Sequence, residues 1–253
     1  MKILFCLSLI LSIRCVAQEI TVAAAADLRP AMEEIVAKFQ QSQPGAAVKV
    51  TYGSSGNFFQ QIQNGAPFDL FFSANVDYPK KLEAAGLVVA GSYYEYARGK
   101  IVLLVPASSK LDLTQGLKIL LDPMVNKVAI ADPSHAPYGQ AAVAALKNEN
   151  IYDKVSAKLV TGENISQAAS FVLSGAADVG IVSLSLAIAP ASKQQVQYAE
   201  VVATDYPPIV QACVVLHSSK NQQLATQFQS HFRSREVASV LERYGFEVSA
   251  KNH

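Results

Sequence analysis

The chain has 253 residues and a formal net charge of +1, from 21 Lys and Arg against 20 Asp and Glu. That length accommodates two modest α/β domains around a sizeable core. Charge so close to balance, without runs of either sign, offers no general field for nucleic acid or an anionic membrane surface, so selectivity must come from local groups.

The first residues read as an export signal, 1–17. Lys2 precedes an apolar run over 3–13 that is too short to span a bilayer, and Cys15 and Ala17 are small residues suited to cleavage after Ala17. Arg14 argues against a lipid anchor on Cys15, because such signals place a small residue immediately before the cysteine. The mature chain then starts at Gln18 in the periplasm, and no later segment is apolar for long enough to cross a membrane. Cys6 and Cys15 leave with the signal. Cys213, among Ala212, Val214, Val215 and Leu216, reads as an inert thiol in a buried strand.

Residues 19–24 form a β run that leads through Ala25, Ala26 and Asp27 into a helix with Leu28, Met32, Ile35, Val36 and Phe39 on one face. Asp27 is placed to cap that helix, and Pro30 is tolerated in its first turn. Pro44 and Gly45 end the unit, and residues 48–52 alternate as a second strand. This strand stops at Gly53, Ser54, Ser55 and Gly56, and Asn57 opens a short helix carrying Phe58 and Ile62. A small-residue loop at a helix start presents unpaired N–H groups beside Ser hydroxyls, which suits an anion. Two other readings compete. The serines could satisfy a local turn, or Ser55 could be a hydrolase nucleophile, although the nucleophile elbow needs Gly where Asn57 stands.

Residues 69–72 are nearly all apolar, as in a strand buried on both faces, and a helix over 78–85 follows Ser73, Ala74 and Asn75. Tyr93, Tyr94 and Tyr96 read as packed linker aromatics rather than as the rim of a ligand site. Next come a strand over 101–105, a helix over 113–121 and a strand over 127–130. The rigid loop 132–139 then enters a helix over 140–147. A strand over 158–160 is followed by Thr161, Gly162, Glu163 and Asn164, which cap a helix over 165–173. The strand over 179–182 runs into Ser183, the strand over 209–216 follows Pro207 and Pro208, and helices over 222–232 and 235–244 close the chain. Repeated βαβ units imply parallel strands whose C-terminal ends gather the loops.

If 101–105 and 209–216 are crossing strands, one domain is built from two separated pieces with the other inserted between them. Lobe I is then 18–100 with 208–253, and lobe II is 101–207. The expected fold is α/β and two-lobed, each lobe a mixed, mainly parallel sheet flanked by helices, with a cleft at the strand ends. Nucleotide, redox and metalloprotease motifs are absent, and His135, His217, His231 and His253 show no ligand spacing. No cofactor or metal is expected. Of the four, His135 alone lies in a candidate loop, and a structural role between its Pro neighbours is favoured over contact with a ligand. No catalytic cluster can be assembled, so a binding protein is a better reading than an enzyme.

The segments AAAADL, YGSSGNF, NGAPFDLFFSA, ADPSHAPYG, GENI, GIVS and RYGF together resemble the periplasmic molybdate-binding proteins of ABC importers, over essentially the whole mature chain. The resemblance implies a type II periplasmic binding fold that closes on a tetrahedral oxyanion, molybdate or tungstate, held by neutral donors. It implies a monomer that delivers its anion to an ABC permease, with no role for nucleic acid. Carried over by position, the ligand-binding residues fall on Asp27 and Ser55 in the first lobe, on the backbone N–H groups of Tyr138 and Ile165 in the second, and on Ser183. Asp27 departs from the family pattern of a serine. At ~4 Å and an effective dielectric of about 20, a carboxylate repels each charge of an anion by roughly 4 kcal/mol. Asp27 therefore either turns away to cap its helix, accepts a hydrogen bond from a protonated oxyanion such as hydrogen phosphate, carries a proton itself, or binds a metal centre directly. An exported serine hydrolase using Ser55 is the reading from a different class.

Overall fold

The computed structural model describes residues 18–248, and the expected signal segment, 1–17, lies outside them. The first β-strand, β1 (Gln18–Ala25), runs through a 3-10 turn (Ala26–Leu28) into α1 (Arg29–Ser42). Then follow β2 (Ala46–Gly53), α2 (Ser55–Gln63), β3 (Leu70–Ser73), α3 (Asp77–Ala84) and β4 (Tyr94–Gly99). A single residue, Lys100, separates β4 from β5 (Ile101–Pro106). The chain continues through β6 (Val128–Ala131), α4 (Pro137–Asn148), α5 (Tyr152–Val155), β7 (Leu159–Gly162), α6 (Ile165–Leu173), β8 (Val179–Ser183), α7 (Leu184–Ala187) and β9 (Val196–Glu200). It returns along residues 201–208 to β10 (Ile209–Val215) and ends in α8 (Gln222–Phe232) and α9 (Arg235–Arg243).

Among the described residues the strands form two five-stranded sheets, ordered β2-β1-β3-β10-β4 and β7-β6-β8-β5-β9. Both orders follow one plan. Three parallel strands (β2, β1, β3 and β7, β6, β8) are extended by two antiparallel pairings, to β10 and β4 in one sheet and to β5 and β9 in the other. Each sheet is therefore mixed, and each is the floor of one lobe. The chain crosses between lobes at Lys100 and along 201–208, at the start of β5 and β10. Lys100 is tied there to Glu200 at 3.3 Å and Glu247 at 3.2 Å.

Burial explains why β3 lacks alternation. Phe72 packs under α8 with Tyr96, Phe228 and Phe232, while Phe71 joins Phe58, Leu82 and Val214 on the opposite face. With a helical layer on each side, successive side chains are all apolar. Three local expectations are corrected. The segment Leu113–Leu121 is 3-10 rather than a continuous helix, broken at Gly116 where φ is +58°, a conformation that costs glycine little. Tyr94 and Tyr96 lie in an edge strand rather than a linker, paired with β10 more than a hundred residues away. The other unforeseen strand, β9, is a half-exposed edge whose polar residues hide its period.

Among the described residues no helix is long and apolar enough to cross a membrane. Cys213 is fully buried in β10, and burial pushes its thiol up to about 12. In protein starting at Gln18, an aromatic disulfide reagent near pH 8 should therefore leave Cys213 unmodified until denaturant is added. Rapid labelling of the native protein would contradict this placement.

Candidate functional site

The C-terminal ends of the parallel strands in both sheets converge on one seam. From lobe I, β1 delivers Asp27, β2 delivers Ser54 and Ser55, and β3 delivers Ala74. From lobe II, the loop after β6 delivers Ala136 and Tyr138, and the turn after β7 delivers Ile165. These residues line a common cavity of about 10 Å³, small because the lobes meet directly across it. Its wall carries no cationic side chain, and its ionisable groups are Asp27 and Tyr138. Wider grooves of about 250 and 520 Å³ flank the seam, the first adjoining the cavity at Ala74 and Pro137 and the second sharing none of its lining.

The paired serines divide the local work. Ser54 is the N-cap of α2, accepting from the Asn57 amide at 3.4 Å and pairing with His135 Nδ1 at 2.8 Å. Ser55 Oγ accepts from the Ala74 amide at 2.9 Å, which fixes the oxygen and leaves the hydroxyl proton free to donate into the cavity. Across the seam, α4 begins at Ala136 with no side-chain cap, and Pro137 has no N–H to give. The amide of Tyr138 consequently has no partner within its helix. At α6, Asn164 takes up the Ser166 and Gln167 amides at 3.1 Å each, and the Ile165 amide is not among those it caps. A hydroxyl and two helix-start amides, all uncharged donors, thus border one space.

Asp27 does not cap α1, whose N-cap is Leu28 without any side-chain hydrogen bond. It sits fully buried within the 3-10 turn and points toward the seam. Its Oδ2 accepts from Tyr138 Oη at 2.8 Å and from Gln211 Nε2 at 2.6 Å. The second amide proton of Gln211 reaches Tyr138 Oη at 3.1 Å, and Gln211 Oε1 accepts from Tyr96 Oη at 2.7 Å. Oδ1, by contrast, is buried without a hydrogen-bond partner. Burial raises the Asp27 carboxyl to about 6, against the opposing pull of Gln211, Tyr138 and the nearby amides of Asp27 and Leu28. Those two amides act on the carboxylate electrostatically, without meeting hydrogen-bond geometry at Oδ1.

The interlobe contacts extend beyond this network. His135 receives the Gly56 amide on its carbonyl at 2.9 Å, Ser185 Oγ donates to the Asp27 carbonyl at 2.7 Å, and Ser166 Oγ donates to the Ala26 carbonyl at 3.2 Å. The lobes are closed on one another. Of the expected site residues, Asp27, Ser55, Tyr138 and Ile165 are brought together. Ser183 is buried behind the wall, its Oγ 3.1 Å from Ser185 Oγ and donating to it, since the single Ser185 proton goes to the Asp27 carbonyl. Gln211, Ser185 and the Tyr138 hydroxyl were not foreseen. The lone polar residue in the apolar run of β10 was a visible signal for Gln211, but nothing local marked Ser185. His135 makes its contacts across the seam, with Ser54 through its ring and with Gly56 through its carbonyl.

Residues 20–247 match the family model of bacterial extracellular solute-binding proteins. The chain belongs to that family. Like its relatives, this solute-binding protein is not an enzyme. It is 35% identical to the molybdate-binding protein ModA of Rhodobacter capsulatus over 236 residues, 93% of this chain and 91% of the other. It is 36% identical to ModA of Azotobacter vinelandii, with 92% of each chain covered. The solved periplasmic molybdate-binding protein of Azotobacter vinelandii superposes with a TM-score of 0.85 over 91% of this chain and 99% of that one, at 34% identity. A sulfate-binding protein, SubI of Mycobacterium tuberculosis, shares the fold alone, at 19% identity and a TM-score of 0.74 over 93% of this chain and 88% of that one.

Gly99, at the end of β4, makes room for the network, because a Cβ there would overlap Tyr138 Oη and come within 2.9 Å of Gln211 Nε2. Gly99→Ala should destabilise the protein by about 1–3 kcal/mol through overpacking. The loss should shrink when Tyr138→Ala removes the obstructing ring, as a double-mutant cycle of thermal unfolding would reveal. Equal losses in both backgrounds would show that the strand end does not control this contact.

Proposed function

We propose that this solute-binding protein captures molybdate between its lobes, accepts tungstate in the same way, and delivers the anion as a monomer to the permease of an ABC importer. Residues 1–17 act as the export signal in this reading, and the protein works in the periplasm. The observation that carries the proposal is the cavity at the converging strand ends, lined by uncharged donors, in a chain that matches named molybdate-binding proteins over more than nine-tenths of its length.

The proposed binding groups are the Ser55 hydroxyl, the amides of Tyr138 and Ile165, and Asp27. Ser183 supports them from behind through Ser185, whose hydroxyl holds the Asp27 carbonyl. Ser55 is suited to donate because Ala74 already occupies its acceptor side. Fixed N–H and O–H dipoles discriminate among anions by size and protonation, whereas a buried Lys or Arg would attract many anions by charge. A divalent anion strengthens each such hydrogen bond, to ~1.5–3 kcal/mol apiece. The four named groups supply roughly 6–12 kcal/mol before the cost of closure and lost motion, which supports binding in the micromolar range.

Calorimetric titration with molybdate, tungstate, sulfate and phosphate tests the proposal. Molybdate and tungstate should bind in that range, with sulfate weaker because its shorter bonds to oxygen reach less well to donors spaced for the larger anion. Ser55→Ala should weaken molybdate binding by roughly 10- to 150-fold, the loss of one charge-assisted hydrogen bond. A protein that gives no heat with molybdate and no rise in melting temperature in its presence would refute the assignment.

A further inference from the structure

A carboxylate in a site for a divalent anion needs an explanation, because its charge opposes the ligand. Asp27 is fully buried, lines the cavity, and shows its two oxygens very different surroundings. Oδ2 is saturated by Tyr138 Oη and Gln211 Nε2, both donors, which fixes it as an acceptor. Oδ1 has no partner in the protein. A carboxylic acid with its proton on Oδ1 would keep both hydrogen bonds at Oδ2 and turn the orphaned oxygen into a donor.

We propose that oxyanion capture is proton-coupled: Asp27 enters the closed complex as the neutral acid and donates a hydrogen bond from Oδ1 to the anion. The inference rests on the proposed oxyanion site and deepens it. Where the free carboxyl is ionised, the event balances as uptake of one proton from solvent onto Asp27 for each divalent anion bound, with no bond broken in the ligand. Asp27 thereby supplies the same kind of neutral O–H donor as Ser55, on a longer arm.

The surroundings of Asp27 provide no competing countercharge. From α4 and β4 the titratable groups facing it are Tyr138 and Tyr96, both held well above the usual phenol range by burial, so both stay neutral donors. From α2, α6, α7 and β10 the neighbours are Ser54, Ser55, Ser166, Ser185 and Gln211, which do not titrate. Arg29, two residues along, lies over the Tyr52 ring at 4.2 Å and not against Asp27. His135 is one step removed, through Ser54.

Burial already brings the Asp27 carboxyl to about 6 without an anion beside it. A neighbouring divalent anion favours the neutral form further, so the bound state holds the proton over a wider pH range than the free state. Affinity should therefore be greatest and level at pH below the free-protein value. It should then fall roughly tenfold per pH unit above it, until the bound carboxyl itself ionises.

The test is calorimetry of molybdate binding to the mature protein from about pH 6 to 8.5, in buffers of different ionisation enthalpy, which counts protons taken up. Expected are a rising Kd with pH in the wild type and uptake approaching one proton per anion toward the alkaline end. In Asp27→Asn, a neutral mimic whose Oδ1 and Nδ2 reproduce the acceptor and donor, the Kd should be nearly flat and the uptake lost. His135→Gln should retain both pH dependence and uptake, which assigns the proton to Asp27. If Asp27→Asn folds but binds poorly, the wild-type proton count and the His135→Gln control still decide. Molybdate binding with flat affinity and no proton uptake overturns the coupling and leaves the binding function standing. Uptake that disappears in His135→Gln also overturns the coupling, whereas no molybdate binding at any pH overturns the functional reading and the coupling together.

Discussion

The structure is organised by a buried hydrogen-bond network in lobe I that is completed only when the two lobes touch. Asp27 belongs to lobe I, Tyr138 to lobe II, and the 2.8 Å contact between them is completed by Gln211 and Tyr96 from the strands nearest the crossings. Buried polar groups are costly unless satisfied, so each of these side chains constrains the others. Gly99 is held to a bare hydrogen by the Tyr138 hydroxyl, and the lone glutamine of β10 is held to its place by Tyr96 and Asp27. Separating the lobes would break the Tyr138 bonds to Asp27 and Gln211 together, so closure here resembles a choice between two arrangements rather than a graded movement.

Around that contact the sheets do the positioning. Both lobes end their parallel strands on the same seam, and each end is followed by a helix start or a tight turn that presents amides or hydroxyls. The capping residues select which donors remain. Ser54 and Asn164 consume amides at α2 and α6, while Ala136 and Pro137 consume none at α4. A site for an anion can thus be made from backbone and serine hydroxyls without any cation, and its discrimination comes from fixed geometry. Asp27 is the carboxyl in that wall, and its two oxygens are unequal, one saturated by donors and one buried without a partner.

Much of this was legible in the sequence, and the readable parts share a cause. The helices over 165–173 and 222–232, the doubly buried β3 and the small-residue loops at strand ends are set by local periodicity, capping and burial pattern, which need only neighbouring residues. Convergence of Asp27, Ser55, Tyr138 and Ile165 on one cavity followed from the βαβ rule with the family resemblance. The edge strands β4 and β9 were missed because their pairing partners lie far along the chain and half of each strand faces water. The broken 3-10 segment at Gly116 was missed because the apolar positions around it match a helix as well as a kinked turn.

What the chain determined alone was the set of elements and the loops that would carry the site, since propensity, capping and hydrophobic period act over a few residues. What tertiary structure decided was the use made of the polar groups. The packing of β10 in the same lobe turns Asp27 from a candidate helix cap into the acceptor of Gln211, and the meeting of the lobes adds Tyr138. The same contact puts His135 against Ser54 and Gly56, and it leaves Ser183 behind the wall. Those partners are drawn from positions about eighty to nearly two hundred residues apart, and hydrogen-bond satisfaction in a closed interior is a property of the assembled space that no local stretch encodes.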